Sequence, residues 1–248
     1  MSQHENFAKD FGSVRPHRDA MHVASDDLAA ALRFSPDTMW RAPANANSKP
    51  STLQPALKRI LDLAIALPML VLCAPLLAVL ALIVFVDAGE PVFFRQTRLG
   101  QGGKPFSIFK FRTMTVMENG DTIVQAKQND SRVTRSGKWL RSTSLDELPQ
   151  LLNVIAGDMS LVGPRPHARA HDTFYANQID NYGLRQDVKP GITGWAQING
   201  HRGETPTVNA MRERVDLDIW YAKNSSFALD LKILALTPIA ILSGRNAY

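Results

Sequence analysis

One cysteine in 248 residues cannot form an internal disulfide, which excludes a disulfide-stapled secreted fold and favours a reducing compartment. No apolar stretch follows the first Met, which argues against a secretory signal peptide. No internal repeat is visible, and aromatic residues make up only 8 % of the chain. Charge is missing altogether from Leu63 to Val86, and acidic residues are missing from the windows 92–117 and 131–145. What is present is a chain 45 % hydrophobic with a net charge of +5, long enough for one domain or two small ones. Its mean hydropathy is that of an ordinary soluble protein, but the apolar residues are pooled in one place.

That place is the charge-free run of 24 residues from Leu63 to Val86. As a straight helix it would extend roughly 36 Å, against about 30 Å for the hydrocarbon core of a bilayer. It is too long and too uniformly apolar for a strand or an amphipathic core helix; a buried helix of a soluble protein is the bland alternative. Pro68 and Pro75 each delete a helical hydrogen bond, and the sharper bend is expected at Ala74-Pro75. Lys58 and Arg59 precede the run, and Arg95, Arg98, Lys104, Lys110 and Arg112 follow it. Positive charge at both ends satisfies the positive-inside tendency only if both ends face the cytoplasm. A helix that dips in, breaks and returns achieves this; the residues alone leave a simple span open.

The remaining organisation is coarser. Residues 1–52 form a polar leader, in which six Lys/Arg balance six Asp/Glu, and it is expected to be disordered. Two short strands, Val92–Gln96 and Pro105–Phe111, flank a Gly-rich turn. Short helices are expected at 145–156 and 208–223, and Asn119–Arg132 reads as a loop. The stretch Phe227–Leu242 is apolar, interrupted by Pro238, and reads as a helix lying at an interface. The expected fold is α/β (α+β) and membrane-associated: a re-entrant helix at 53–90, then a compact domain at 91–248 with short strands.

Four places could carry chemistry. In Arg141-Ser-Thr-Ser-Leu-Asp-Glu-Leu-Pro-Gln150, Ser144 and Glu147 have capping-box spacing, which is one reading. The other is a carboxylate pair, Asp146 and Glu147, whose side chains on a helical turn project about 100° apart and can reach one cation. A hard cation such as Mg²⁺ takes one or two carboxylates and completes its shell with water and phosphate. In Gly157-Asp-Met-Ser-Leu-Val-Gly-Pro-Arg-Pro-His167, Arg165 sits between two prolines on a stiffened backbone suited to a bidentate grip. His167 reads as structural or as a surface residue rather than as a base. The Gly-rich segment Lys189–Glu204 could line an anion site but matches no dinucleotide or P-loop pattern.

The fourth place is positional. The two acid-free windows hold nine Lys/Arg, including Lys110, Arg112 and Arg141. Next to an apolar segment, such a basic face favours lipid headgroups or a phosphorylated substrate over nucleic acid. Asp218 lies at the margin of a helical stripe made by Met211, Val215 and Ile219.

Taken in order, these pieces resemble the bacterial sugar transferase family, the monotopic phosphoglycosyl transferases. The residues that carry the resemblance are Lys58-Arg59-Ile-Leu-Asp62, Phe109-Lys110-Phe111-Arg112-Thr113-Met114 and the Leu140–Leu151 segment around Asp146-Glu147. Gly157–Pro166 and Lys189-Pro-Gly-Ile-Thr-Gly-Trp-Ala-Gln197 complete it. The resemblance runs from about Leu57 to Tyr248. It implies a re-entrant membrane helix, broken in some members at Ser-Pro where this chain has Ala74-Pro75.

The resemblance further implies that Asp146 attacks the β-phosphate of a UDP-sugar, releases UMP and carries the sugar-phosphate covalently, with Glu147 and Mg²⁺ assisting. Asp146 and Glu147 would hold the metal. Undecaprenyl phosphate would then accept the sugar-phosphate. Lys110, Arg112, Arg141 and Arg165 are expected to bind phosphate, Lys58 and Arg59 to meet the lipid phosphate, and Asp218 matches a further acidic position. Gln197-Ile-Asn-Gly-His-Arg-Gly-Glu-Thr205 and Arg245-Asn-Ala-Tyr248 resemble members that use UDP-glucose to begin exopolysaccharide repeat units. The rivals are UDP-galactose, a UDP-N-acetylhexosamine, or a non-catalytic membrane scaffold. The expected location is the bacterial inner membrane, with the domain on its cytoplasmic face and a homodimer left open.

Overall fold

The computed structural model describes residues 53–116 and 130–242. The polar leader, most of the loop expected at 119–132, and the terminal Arg245–Tyr248 lie outside the described residues.

The apolar run forms one helix, α1 (Leu53–Ala88), with Pro68 and Pro75 inside it. It is long and apolar enough to cross a membrane. Its burial is uneven along its length. Ala66, Leu80 and Val84 are fully buried, whereas Val71 and Leu72 between them are 73 % and 79 % exposed. Leu67, Met69, Leu76 and Val79 are also open. In water each exposed side chain of this kind forgoes about 1.5–3 kcal/mol of burial, so the middle of α1 calls for an apolar surrounding.

After α1 the chain turns into an antiparallel hairpin, β1 (Phe93–Leu99) and β2 (Pro105–Phe111), in register from Phe93↔Phe111 to Leu99↔Pro105. β1 is longer than expected because Thr97, Arg98 and Leu99 continue the pairing up to the turn. Gly102 and Gly103 supply the positive φ values, 66° and 71°, that the reversal needs. Phe111 then meets Leu80, Val84 and Leu140 in a core shared by α1, the hairpin and α2 (Arg135–Thr143). Thr134 caps α2 by accepting from Gly137 N at 3.0 Å.

A tight turn, Leu145–Gln150, leads directly into α3 (Leu151–Ala156). Two short strands, β3 (Ser160–Val162) and β4 (Gly191–Thr193), pair in parallel, with Ser160↔Gly191 and Val162↔Thr193. Between them lies α4 (Arg169–Ala176), and beyond them come α5 (Trp195–Ile198), α6 (Val208–Asn224) and α7 (Phe227–Leu242). The stripe of α6 behaves as its spacing predicts: Met211 and Val215 join Tyr175, Ile179 and Tyr182 in a second core, with Ile219 at its edge. The architecture is thus a mixed α and β fold of many helices around two small sheets.

The start of α1 is built into this domain. Asp62 accepts from Ser160 Oγ and Leu161 N, both at 2.9 Å. Arg59 donates to the carbonyls of Val154 and Ile155 at 2.6 and 2.7 Å, closing the C-terminal end of α3. Lys58 donates to Val162 O at 2.9 Å and to Asp230 of α7 at 2.7 Å. At the other end, Asp87 accepts from Ser136 N and Oγ at 2.7 and 2.6 Å. Arg112 ties the exit of α1 through the carbonyls of Gly89 and Glu90.

Candidate active site

The carboxylate pair sits on the turn Leu145–Gln150. Its geometry corrects the capping-box reading of Ser144 and Glu147. Ser144 has φ 58°, left-handed rather than extended, because it ends α2 and opens the next turn in a single residue. Its hydroxyl accepts from Arg202 instead of a backbone N–H. Glu147 is likewise engaged elsewhere.

Glu147 is held by two cations. Lys110 Nζ lies 2.8 Å from Oε1, and Arg165 grips both oxygens, Nη1 to Oε2 at 3.0 Å and Nη2 to Oε1 at 2.5 Å. Burial would raise the Glu147 carboxyl, but the Arg165 and Lys110 charges outweigh it and hold it well below the usual range. Asp146 is its opposite. It is buried, and among the described residues no hydrogen bond or ion pair reaches its carboxylate. Burial, then the neighbouring Glu147 charge, push it up to about 6. One carboxylate is therefore firmly ionised and neutralised, while the other keeps its lone pairs open.

Each partner is mounted by residues far away in sequence. Lys110 is placed by Asn153, which is fully buried in α3 and pairs with β2 as a strand would. Phe109 N donates to Asn153 Oδ1 at 3.0 Å, and Asn153 Nδ2 donates to Ser107 O at 2.7 Å. Arg165 is fixed through three successive carbonyls. Pro164 O accepts from Gly191 N at 2.9 Å, Arg165 O from Arg185 Nη2 at 2.5 Å, and Pro166 O from Arg98 Nη1 at 3.2 Å. A Cβ on Gly163 would collide with the Lys189 carbonyl, so this approach requires glycine.

Behind Arg165 lies a buried ionic cluster. Asp218 Oδ2 accepts from Arg185 Nε and Nη2 at 3.1 and 2.7 Å, and these charges, with burial opposing, keep Arg185 protonated. Tyr182 donates to Asp172 Oδ1 at 2.7 Å, and His167 Nδ1 lies 2.6 Å from the same hydroxyl. Burial, then the Arg185 charge, hold His167 well below its ordinary pKa; it is buried and neutral, the structural and not the surface one of the two expected readings.

The sequence-derived candidates therefore divide. Asp146, Glu147, Lys110 and Arg165 come together, with the Arg141 charge within reach of Asp146. Lys58, Arg59, Arg112 and Asp218 each have internal partners in the fold. Asn153, Arg185 and Arg202 were not singled out from sequence. Arg202 lies in the Gly-rich segment Lys189–Glu204 that could line an anion site, and Asn153 is the polar residue of an otherwise apolar helix; these are the available signals.

A cation fits the pair in principle. Among the described residues no group of three His, Cys, Asp or Glu forms a metal cage. Two carboxylates, one with open lone pairs, instead suit a hard divalent cation that keeps water and phosphate oxygens in its shell.

Buried carboxylates held beside ammonium and guanidinium groups are chemistry that can receive a phosphorylated substrate. The chain belongs to the bacterial sugar transferase family, whose model matches residues 53–244. It is 52 % identical over 192 residues to the UDP-glucose:undecaprenyl-phosphate glucose-1-phosphate transferase of Escherichia coli, covering 77 % of this chain and 41 % of that one. It therefore spans about two fifths of that relative's length. A protein of the same name from Caulobacter vibrioides is 51 % identical over 77 % of this chain and 72 % of its own length. A UDP-N-acetylgalactosamine-undecaprenyl-phosphate N-acetylgalactosaminephosphotransferase of Aeromonas hydrophila is 38 % identical, over 80 % of this chain and 46 % of its own.

Proposed function

We propose that this protein is a membrane-bound enzyme that transfers glucose-1-phosphate from UDP-glucose to undecaprenyl phosphate, the first step in assembling an exopolysaccharide repeat unit. The observation that carries the reading is the contrast within the dyad: a buried Asp146 with open lone pairs beside a fully engaged Glu147.

In this reading an Asp146 oxygen attacks the β-phosphorus of the donor. The bond from that phosphorus to the bridging oxygen breaks, and UMP leaves with the electron pair. A phosphate oxygen of undecaprenyl phosphate then attacks the same phosphorus, the lipid-linked diphosphosugar forms, and Asp146 is released as a carboxylate. Lys110, Arg141 and Arg165 offset charge on the equatorial oxygens. Mg²⁺ held by Asp146 and Glu147 would supply further charge neutralisation at the phosphoryl group. Asp218 serves the same oxygens indirectly, through Arg185 and the carbonyl of Arg165. Arg112, Lys58 and Arg59 hold the two ends of α1 where the lipid phosphate arrives.

The same reading makes α1 re-entrant, with both ends on the cytoplasmic face of the inner membrane and the 91–248 domain beneath them. Two anchor points support it. Arg59 is tied to Val154 and Ile155, while Leu80 and Val84 share a core flanked by Leu145 and Leu148. In a straight helix Arg59 and Val84 would lie about 37 Å apart, whereas Leu148 and Val154 are separated by about 10 Å of helical chain. Pro68 and Pro75 fall between the anchors. Cysteine labels at Gln54 and Glu90 are expected to be equally protected from an impermeant reagent outside intact cells; protection of only one would establish a span.

Glucose is favoured by the Escherichia coli and Caulobacter relatives at about half identity. The Aeromonas relative supports a second reading, the same chemistry with a UDP-N-acetylhexosamine. A donor screen on the purified protein with Mg²⁺ and undecaprenyl phosphate decides between them by UMP release. Turnover confined to UDP-glucose supports the first reading, and no release with any UDP-sugar leaves a scaffold.

A further inference from the structure

Arg202 lies between α5 and α6 on a segment anchored on both sides of it. His201 N donates to Ala196 O at 3.0 Å, and Arg214 Nη2 donates to Gly203 O at 2.5 Å. Its own Nη2 donates to Ser144 Oγ, at the start of the turn that bears the dyad. Glu147, Arg165 and Asp146 all lie within its electrostatic reach.

This guanidinium has no carboxylate of its own among the described residues. Both oxygens of Glu147 are already taken by Lys110 and Arg165, and the Ser144 hydroxyl is a neutral acceptor. With a hydroxyl as its hydrogen-bonded partner, the guanidinium keeps donors for an anion. Lys110, Arg141 and Arg165 act on Asp146, and Arg202 lies within reach of the same carboxylate and of Glu147. A diphosphate bridge carries about two negative charges near neutral pH. Arginine, with its planar fork, is the side chain suited to grip one of its phosphoryl groups through two bonds.

We infer that Arg202 is a further donor-binding residue, which leaves Ser144 to hold the distal phosphate of a nucleoside diphosphate beside Asp146. The assignment rests on the nucleotide-sugar reading of the site. Ser144 is the resting place that keeps the fork aimed while the site is open.

The test is calorimetric titration of the full chain in lipid nanodiscs with UDP and, separately, with UMP, both in the presence of Mg²⁺. Arg202→Gln is expected to weaken UDP binding about tenfold or more and UMP binding less than about threefold, since UMP lacks the second phosphate. Retained UMP binding also shows that the variant is folded. Ser144→Ala removes the same hydrogen bond but keeps the guanidinium, and is expected to bind UDP within about threefold of the parent. UDP binding unchanged in Arg202→Gln, or lost equally in Ser144→Ala, overturns the assignment and leaves Arg202 as a support for the turn. A parent protein that binds neither nucleotide overturns the nucleotide-sugar reading, and the role of Arg202 with it.

Discussion

The middle of α1 and the turn at Leu145–Gln150 break opposite rules. The first exposes apolar side chains, with Leu72 left 79 % open, and the second buries charge, with Asp146 only 8 % exposed. Either arrangement costs free energy in water, by lost apolar burial in one case and by desolvation in the other. Within the protein the middle of α1 stays open, and Lys110, Arg141 and Arg165 offset only part of the burial cost of Asp146. In the proposed function lipid relieves the first, and the divalent cation relieves the second. Stability has been given up at the two places where the molecule meets something else.

Substitutions at the dyad and its partners should separate activity from folding most sharply. Asp146→Asn keeps the shape of the side chain but removes the attacking oxygen's charge, and turnover should fall on the order of 10³-fold or more. Arg165→Ala, which leaves Glu147 with Lys110 alone, should cost about 10²-fold in kcat. Both are read from UMP release with UDP-glucose.

The helix sharpens the comparison from the other side. Leu80→Ala empties a site shared with Phe111 and Leu140 and should destabilise the domain by about 2–4 kcal/mol in detergent. Leu72→Ala, eight residues earlier and exposed, should change stability by less than about 0.5 kcal/mol. Chemical denaturation of the two variants checks this, and equal losses would show that the middle of α1 is packed against protein.

The same logic gives a pH dependence. Asp146 is raised from 3.8 to about 6 by burial and by Glu147, so its ionised form is disfavoured in the fold. Its contribution to stability is therefore greatest below about pH 4 and is lost as pH rises through 6. Asp146→Asn should be more stable than the parent by about 2 kcal/mol above pH 7, with the gap closing toward pH 4. Activity runs the other way. kcat/KM should fall as pH drops through about 6, because the attacking group must be ionised, and added Mg²⁺ should move that limb lower.

How much of this the sequence disclosed follows from how local each feature is. The charge-free run declares α1 by composition, the Met211–Val215–Ile219 spacing declares α6, and the Gly-rich turn marks the hairpin. Asp146 and Glu147 are adjacent, so their pairing was legible. Their inequality was not, because it arises from Lys110 and Arg165, which arrive on the hairpin and on the Pro164–Pro166 segment. Asn153 and Arg185 are further removed still. Each acts on the site only by placing another residue's backbone, and no local pattern encodes such a bond. The Ser144–Glu147 spacing misled for a related reason: a capping box presumes an extended first residue, and Ser144 is left-handed.

The central claim is that Asp146 carries the sugar-phosphate. The direct measurement incubates the purified protein in nanodiscs with UDP-glucose labelled at its β-phosphate, with Mg²⁺ and without acceptor. The account predicts label retained on the protein, absent from Asp146→Asn, and discharged into lipid when undecaprenyl phosphate is added. Lipid product formed by a protein that never takes up label, or equal labelling of Asp146→Asn, would contradict it.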